Sequence, residues 1–307
     1  MRAVVIGGSG QIGGHLLREL AAAGHEATGT YLGHRVAGLV PLDAADAAAA
    51  ASWLASLRPD VVFYPAGFTW VDGCERDPAR AVAANLDQPL ALARAAGDAG
   101  ARFALFSTDY VFDGRDGPYD EAAPPAPLNV YGRAKREAEQ GLLALLGDAA
   151  LVLRTSWVFG PERQGKNFAY QVVRRLVAGE AVVCPDDMRS SPSYGPDVAR
   201  AAVALAGRGA SGIVHVAGPE VVTRLEFARR IADQFGLDPG RVAGRPDAEL
   251  PGGAARPLRG GLLTPRLDRL LPGALRPLGA ALADFAARLD GEPGWADPRP
   301  GRREAVP

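Results

Sequence analysis

Eight residues, GGSGQIGG from Gly7 to Gly14, follow directly on an apolar run, AVVI, and open a segment with helical apolar spacing. That placement constrains the fold more than any other stretch of the chain. Gly7, Gly10 and Gly13 fit a G-x-x-G-x-x-G turn between a strand and a helix. Missing side chains let such a backbone approach a pyrophosphate, and the helix start offers free N–H groups and a positive dipole end. A plain glycine-rich turn is the alternative, but the strand–turn–helix context selects a dinucleotide site. Behind the turn, Ile12, Leu16, Leu17 and Leu20 share one helix face, and Gly24 stops the helix.

The unit then repeats. Strands are expected at HEATGTY, GLVPLD, PDVVFYPAG, ARFALFST and ALVLRTSWVFG, with helices over 44–57, 74–100 and 130–147 between the later ones. Apolar strands alternating with helices argue for an α/β fold, a Rossmann-like doubly wound parallel sheet covered on both faces. The second half is less regular. Helices are expected over 166–180, 197–207, 223–236 and 278–290, a strand over 212–218, and turns with short strands over the Gly-, Pro- and Arg-rich stretch 238–275. We therefore expect a dinucleotide-binding domain over 1–160, to which the chain returns at about 196–217. A smaller C-terminal α+β substrate lobe over 161–290 is drawn mainly from 161–195 and 218–290. Residues 291–307 hold too little apolar content to pack and are expected to be a disordered tail.

Composition narrows the function. A formal net charge of -1, with 22% charged residues, gives no basis for a nucleic-acid or membrane partner. Cys74 and Cys184 form no paired motif, and His15, His25, His34 and His215 lack metal-ligand spacing, so neither a disulfide framework nor a metal is expected. His15, just inside the first helix, reads as a surface or packing residue. No secretory leader is evident, which makes the cytoplasm the default address, as a homodimer or monomer.

The second strand ends Gly29-Thr30-Tyr31 without the acid that would bind a ribose 2′-hydroxyl, and Arg35 follows. An arginine there suits a 2′-phosphate, so NADP(H) is preferred and NAD(H) remains possible. Asp43, after the short third strand, either reaches the adenine amino group or caps the next helix.

Farther along, FSTDYVFDG ends the fifth strand with Thr108 at the sheet's carboxyl edge, where ligands bind in open α/β sheets. Tyr131 and Lys135 in NVYGRAK then share one helix face at i and i+4. A hydroxyl, a tyrosine and a lysine can converge on one carbonyl beside a nicotinamide. Free tyrosine has a pKa near ~10. Lys135, together with an oxidised nicotinamide ring, is expected to lower it, while also binding the nicotinamide ribose. Tyr131 then supplies a proton as hydride reaches the carbonyl carbon.

On these residues the chain resembles an extended short-chain dehydrogenase/reductase, most of all the dTDP-4-dehydrorhamnose reductase group. The matching segments are GGSGQIGG, PDVVFYPAGFTWVDGCE, STDYVFDG, PLNVYGRAK, LRTSWVFG and KNFAYQVVRRL, with looser matches at DDMRSSPSYGPDVARA and RPLRGGL; they run in family order through about the first 265 residues. The resemblance implies Thr108, Tyr131 and Lys135 as catalytic. It implies Gly7, Gly10, Gln11, Ile12 and Gly13 at the pyrophosphate, Asp43 at the adenine, and Ala66 and Gly67 facing the cofactor. Thr69, Val71, Asp109, Tyr110 and Trp157 would line a nucleotide-sugar pocket, although Trp157 reads equally as a core aromatic. The implied reaction is NADPH-dependent reduction of a 4-keto group on a nucleotide-activated deoxysugar. Three segments depart from the group's pattern: Tyr64-Pro65-Ala66-Gly67, Ser191-Pro192-Ser193 and Arg259-Gly260. They are expected to bear on the substrate. An epimerase with tightly held NAD is one rival. A 4,6-dehydratase is a second, counted against by Tyr110 where that group carries a second acid after Asp109, and a non-catalytic NADP-binding regulatory subunit, like the β-subunit of methionine adenosyltransferase, is a third.

Overall fold

The computed structural model describes residues 1–299. Its centre is a seven-stranded parallel sheet. Strands β1 (Arg2–Val5), β2 (Glu26–Tyr31), β3 (Val40–Pro41), β4 (Val61–Tyr64), β5 (Arg102–Thr108) and β6 (Ala150–Thr155) are joined by a last strand, Gly212–His215. From one edge to the other the order is that last strand, then β6-β5-β4-β1-β2-β3. Strand order therefore reverses between β1 and β4, and the crevice beyond the carboxyl ends at such a switch point is where ligands bind.

Helices cover both faces. On one, Ala50, Leu54, Leu92, Ala96 and Leu142 pack against Val62, Phe103 and Val152; on the other, Leu16, Leu20, Val198 and Leu205 pack against Val5, Phe63 and Leu153. Each such Val, Leu or Phe side chain, fully buried, contributes roughly 1.5–3 kcal/mol. Beneath the sheet's working edge lies a buried ion pair. Glu139, on the helix Val130–Leu146, takes two hydrogen bonds from Arg154 of β6 at 2.9 and 2.6 Å and one from Ser107 of β5 at 2.5 Å. Removing one partner of such a pair costs about 3–5 kcal/mol, so the set fixes that helix against both strands.

The lobe has its own core. Helices Phe168–Val177, Arg224–Gln234 and Leu278–Gly291 meet around Tyr170, Phe227 and Phe285, with the parallel pair Val182–Pro185 and Val242–Arg245 at their side. Between the lobe's segments, the helix Gly195–Gly207 and the strand Gly212–His215 lie on the central sheet.

Three elements differ from expectation. The single helix over 74–100 is broken: Asp77 caps a new start at Pro78, its carboxylate accepting from the Arg80 amide at 3.0 Å, and Ala83–Asp87 forms a π-turn before Gln88–Asp98. The sixth strand stops at Thr155, because Trp157 adopts a left-handed φ of 39°, and Val158–Phe159 pairs instead with Ser193–Tyr194. The start of the expected disordered tail is packed. Trp295 is 5% exposed, with Arg18 4.0 Å above its ring, and Ala296 bonds to Glu162 and Tyr170 at 3.0 and 2.8 Å. One tryptophan and a few backbone bonds anchor a segment that composition alone would leave free; residues 300–307 lie outside the described residues.

Candidate active site

A cleft of about 1240 Å³ runs along the carboxyl edge of the sheet. At one end is the glycine turn. The Gly10 amide closes it onto the Gly7 carbonyl at 3.0 Å, and the Gly7 amide donates to the Thr30 hydroxyl at 3.1 Å. The helix Gln11–Ala22 starts there without a side-chain cap, so its first amides are open to a ligand. A β-carbon on Gly13 would sit 2.1 Å from the Gly7 oxygen, so only glycine permits this tight a turn. Buried Nε2 of Gln11 has no partner among the described residues. Open amides, an unpaired amide nitrogen and a close-packed glycine cradle fit a dinucleotide pyrophosphate.

Gly7, Gly10, Gln11, Ile12, Gly13, Thr30, Ala66 and Gly67 all line this part of the cleft. Arg35 and Asp43 do not. Arg35 is exposed on the loop after β2, where His34 lines the cleft instead. Asp43 is exposed and accepts from the Ala45 amide at 2.9 Å, the local turn bond of a short acidic side chain, while the next helix is capped by Asp46, which accepts from the Ala49 amide at 3.0 Å.

The candidate catalytic groups also line the cleft. Thr108 ends β5, 7% exposed, its hydroxyl donating to Asp109 at 3.2 Å and accepting from the Tyr110 amide at 3.2 Å. Asn129 caps the next helix through the Gly132 amide at 2.8 Å, and Glu75 takes the Val130 amide at 2.6 Å. A β-carbon on Gly132 would lie 2.1 Å from the Tyr110 oxygen, so glycine lets the helix press Tyr131 against the 108–110 turn. The Tyr131 ring meets Tyr110 edge-on at 5.9 Å. One turn on, Lys135 is 3% exposed and its ammonium donates to the Phe106 carbonyl at 3.0 Å.

Burial pushes the Tyr131 phenol well above the ordinary tyrosine range; Asp109 and Cys74 add to this, and a hydrogen bond from Thr108 opposes it. Burial also draws Lys135 down to about 8, against an upward pull from Glu139. The lowered phenol expected from the Tyr131–Lys135 spacing is thus not produced by the protein's own groups. Near neutral pH the phenol is protonated, the form a proton donor to a carbonyl must start in.

At the other end lie Thr69, Val71, Asp109, Tyr110 and Trp157. Asp109 is 2% exposed, and its carboxylate accepts from Ser156 at 2.8 Å and Ser190 at 2.7 Å. Burial raises its pKa. It ties the ends of β5 and β6 to the lobe. Trp157 serves both readings at once, lining the cleft and stacking on Phe227 of the lobe core at 6.3 Å. Of the departures, Tyr64 to Gly67 line the cleft, whereas Ser191 to Ser193, Arg259 and Gly260 do not. Those last join two segments of the lobe to each other: Ser191 takes the Leu262 amide at 3.1 Å, and Gly260 donates to the Arg189 carbonyl at 3.0 Å.

Sequence reasoning missed several residues. Asn85 sits on the π-turn, 0% exposed. Its amide donates to Phe68 at 2.9 Å and Ala81 at 3.1 Å, while its Oδ1 has no partner and faces Gly67. A π-turn has no simple residue signature. Gln164, Lys166 and Arg224 also line the cleft, arriving from segments of the lobe far apart in the chain.

The family profile described as RmlD substrate binding domain matches residues 1–290. The chain is 39% identical to a dTDP-4-dehydrorhamnose reductase of Mycobacterium tuberculosis over 262 residues, 83% of this chain and 82% of that protein. With the dTDP-4-dehydrorhamnose reductase of Streptomyces griseus it shares 35% identity over 305 residues, 97% of each. Its fold is similar to the crystal structure of dTDP-4-dehydrorhamnose reductase from Bacillus anthracis in complex with NADP. There the TM-score is 0.84 and the identity 25%, over 94% of this chain and 99% of the other.

Proposed function

The chain belongs to the RmlD substrate binding domain family, and from that membership and the cleft together we infer that it is an NADPH-dependent reductase. It acts on a 4-keto group of a nucleotide-activated deoxysugar, in the manner of a dTDP-4-dehydrorhamnose reductase. The observation that carries this reading is the meeting, in one cleft, of a pyrophosphate cradle with Thr108, a protonated Tyr131 and Lys135.

Gly7, Gly10, Gln11, Ile12 and Gly13 hold the pyrophosphate, Thr30 supports the turn, Ala66 and Gly67 face the nicotinamide side, and Lys135 takes its ribose. When bound, the reduced nicotinamide supplies the hydride. Thr108 and Tyr131 hydrogen-bond the substrate carbonyl, and Tyr131 gives its proton to the oxygen as the alkoxide forms. Lys135 sets a positive charge one helical turn from the phenolate left behind. Thr69, Val71, Tyr110 and Trp157 enclose the sugar, with Asp109 holding Thr108 in place. Residues 1–160 with the return at 196–217 serve the cofactor, and 161–195 with 218–290 serve the substrate. We place the enzyme in the cytoplasm, as a homodimer or monomer; no described helix is long and apolar enough to cross a membrane.

Purified protein is incubated with NADPH and a panel of nucleotide 4-keto-6-deoxy sugars while reduced nicotinamide absorbance is followed. Consumption matched by a new sugar hydroxyl is the expected result. Undiminished NADPH with every sugar, in protein that still binds NADPH, overturns the reading; an epimerase would convert sugars and leave NADPH unconsumed.

A further inference from the structure

Tyr131, Lys135 and Glu139 follow one another at i, i+4 and i+8 on the helix Val130–Leu146, so they share a face, and all three are buried. The Lys135 ammonium donates to a neutral acceptor, the Phe106 carbonyl, and among the described residues it makes no ion pair. A buried cation gives up its proton readily unless a nearby negative charge opposes the loss. That charge stands one turn farther on: Glu139 pulls Lys135 upward while burial draws it down to about 8. The other groups at the lysine carry no charge near neutral pH. Cys74, on the helix Val71–Arg76, is a thiol that burial raises to about 11; Asn85 of the π-turn is an amide beside the same Gly67; Ser107 of β5 is a hydroxyl. Asp109 acts on Tyr131, Glu75 holds the Val130 amide at the helix start, and Arg80 lies over Phe68.

Glu139 is itself aimed and balanced. Arg154 of β6 donates to both its oxygens, at 2.9 and 2.6 Å, and Ser107 donates at 2.5 Å. Among the described residues Glu139 is the one carboxylate paired with Arg154. The remaining edge of Arg154 lies 3.4 Å from Nε2 of His215, whose pKa burial, with Arg154, holds at about 4, so that ring is neutral. From the cleft inward the charges alternate: Lys135 positive, Glu139 negative, Arg154 positive. We propose that Glu139 is a positioning residue that keeps Lys135 an ammonium beside Tyr131, and that Arg154 sets how much of the Glu139 field reaches the lysine. The use of that charge, to steady the Tyr131 phenolate, rests on the reductase reading; its origin does not.

Composition makes the test direct, because Lys135 and Lys166 are the chain's two lysines. Full-length protein made with lysine isotope-labelled at Cε is titrated by NMR, Lys166→Arg assigning the signals, and a cooperative urea transition checks that each variant is folded. With Glu139→Gln the Lys135 midpoint is expected to fall by about one pH unit, since the pull is gone and Arg154 is left uncompensated. With Arg154→Gln it is expected to rise by about as much, the Glu139 field being no longer balanced. The double variant, Glu139→Gln with Arg154→Gln, leaves no unpaired buried charge and is expected between Glu139→Gln and the parent. The alkaline limb of kcat follows the same order. A role in packing alone predicts otherwise: water admitted by either single change would raise both midpoints toward the free-lysine value of about 10.4. An unchanged or raised midpoint in Glu139→Gln overturns the proposal, as does a common sign in the two single variants. If Glu139→Gln does not fold, the double variant decides, an unchanged or raised midpoint there overturning it equally. Midpoints that move as expected in a protein that reduces no keto sugar would sink the reductase reading and leave the Lys135 assignment standing.

Discussion

The part of the cleft at the glycine turn is made largely of backbone, whereas the part at Trp157, proposed here to take the sugar, is made of side chains brought in from separate segments. At the first, the turn 7–13 and Ala66–Gly67 sit at the carboxyl edges of β1 and β4, and Gly13 allows no added atom. At the second, Tyr110 follows β5, Trp157 follows β6, Lys166 precedes one lobe helix and Arg224 begins another. A backbone site tolerates little change, because its geometry is the fold itself. A side-chain site can be retuned one residue at a time without disturbing the sheet. Thr108, Tyr131 and Lys135 stand between the two, on the sheet and the helix bonded to it.

Substitutions at these places should separate the halves. Tyr131→Phe is expected to lower kcat by about 10²–10⁴-fold while leaving NADPH affinity near the parent value. Undiminished turnover would remove Tyr131 as the proton donor. Gly13→Ala sets a methyl group against the Gly7 backbone, which cannot yield as a flexible side chain would. We expect NADPH binding to weaken about 10²-fold, with dTDP binding at the sugar end little changed. Equal losses for both ligands would show that the two ends are not independent.

The packed segment near Trp295 joins them. Ala296 holds Glu162, and Gln164, two residues on, donates to the Ser9 carbonyl of the glycine turn at 3.4 Å. Trp295→Ala is expected to cost about 3 kcal/mol in denaturant unfolding and to raise the KM for NADPH severalfold. An unaltered unfolding midpoint would mean the segment merely rests on the surface.

Acid should loosen the fold at two buried histidines, one beneath Trp295 and one on the strand Gly212–His215. Burial holds His15, beneath Trp295, at about 3 and His215 at about 4, against an ordinary 6.5. The unfolded chain takes up protons that the folded one refuses. The stability these histidines contribute is therefore complete above pH 6.5 and is lost as pH falls toward their folded values. Urea midpoints followed from neutral pH to about 4 should decline, and a flat profile would contradict the neutral, buried imidazoles. The smallest effect is expected at Arg35, exposed and outside the cleft. Arg35→Ala should change the NADPH KM by less than about threefold, since exposed charges contribute little. A larger rise would return the 2′-phosphate to it.

How much was legible followed the same division. Asp43 and Arg35 were placed by chain proximity to the adenine end, and both side chains turn out to be exposed. A helix was expected to run unbroken through 74–100, but the Asp77-Pro78 cap and the π-turn at Ala83–Asp87 divide it and carry Asn85 inward. Ser191 and Gly260 were expected to bear on the substrate, and they bond two segments of the lobe to each other outside the cleft lining. The partners of Ser191 and Gly260 come from far along the chain, which local spacing does not show.

The sequence by itself determined the alternation of strand and helix, the glycine turn and the order of Thr108, Tyr131 and Lys135. These are local matters, governed by apolar period, by backbone that must stay bare, and by i to i+4 spacing on one helix. Only the tertiary structure decided that burial raises the Tyr131 phenol above the ordinary tyrosine range and that Asp109 is a buried tie. It also decided that Trp295 anchors what reads as a loose end, and that Arg224 lines the cleft with its guanidinium near the rings of Trp157 and Phe168. Those outcomes depend on burial and on charges far apart in the chain, and both exist only once the lobe has folded against the sheet.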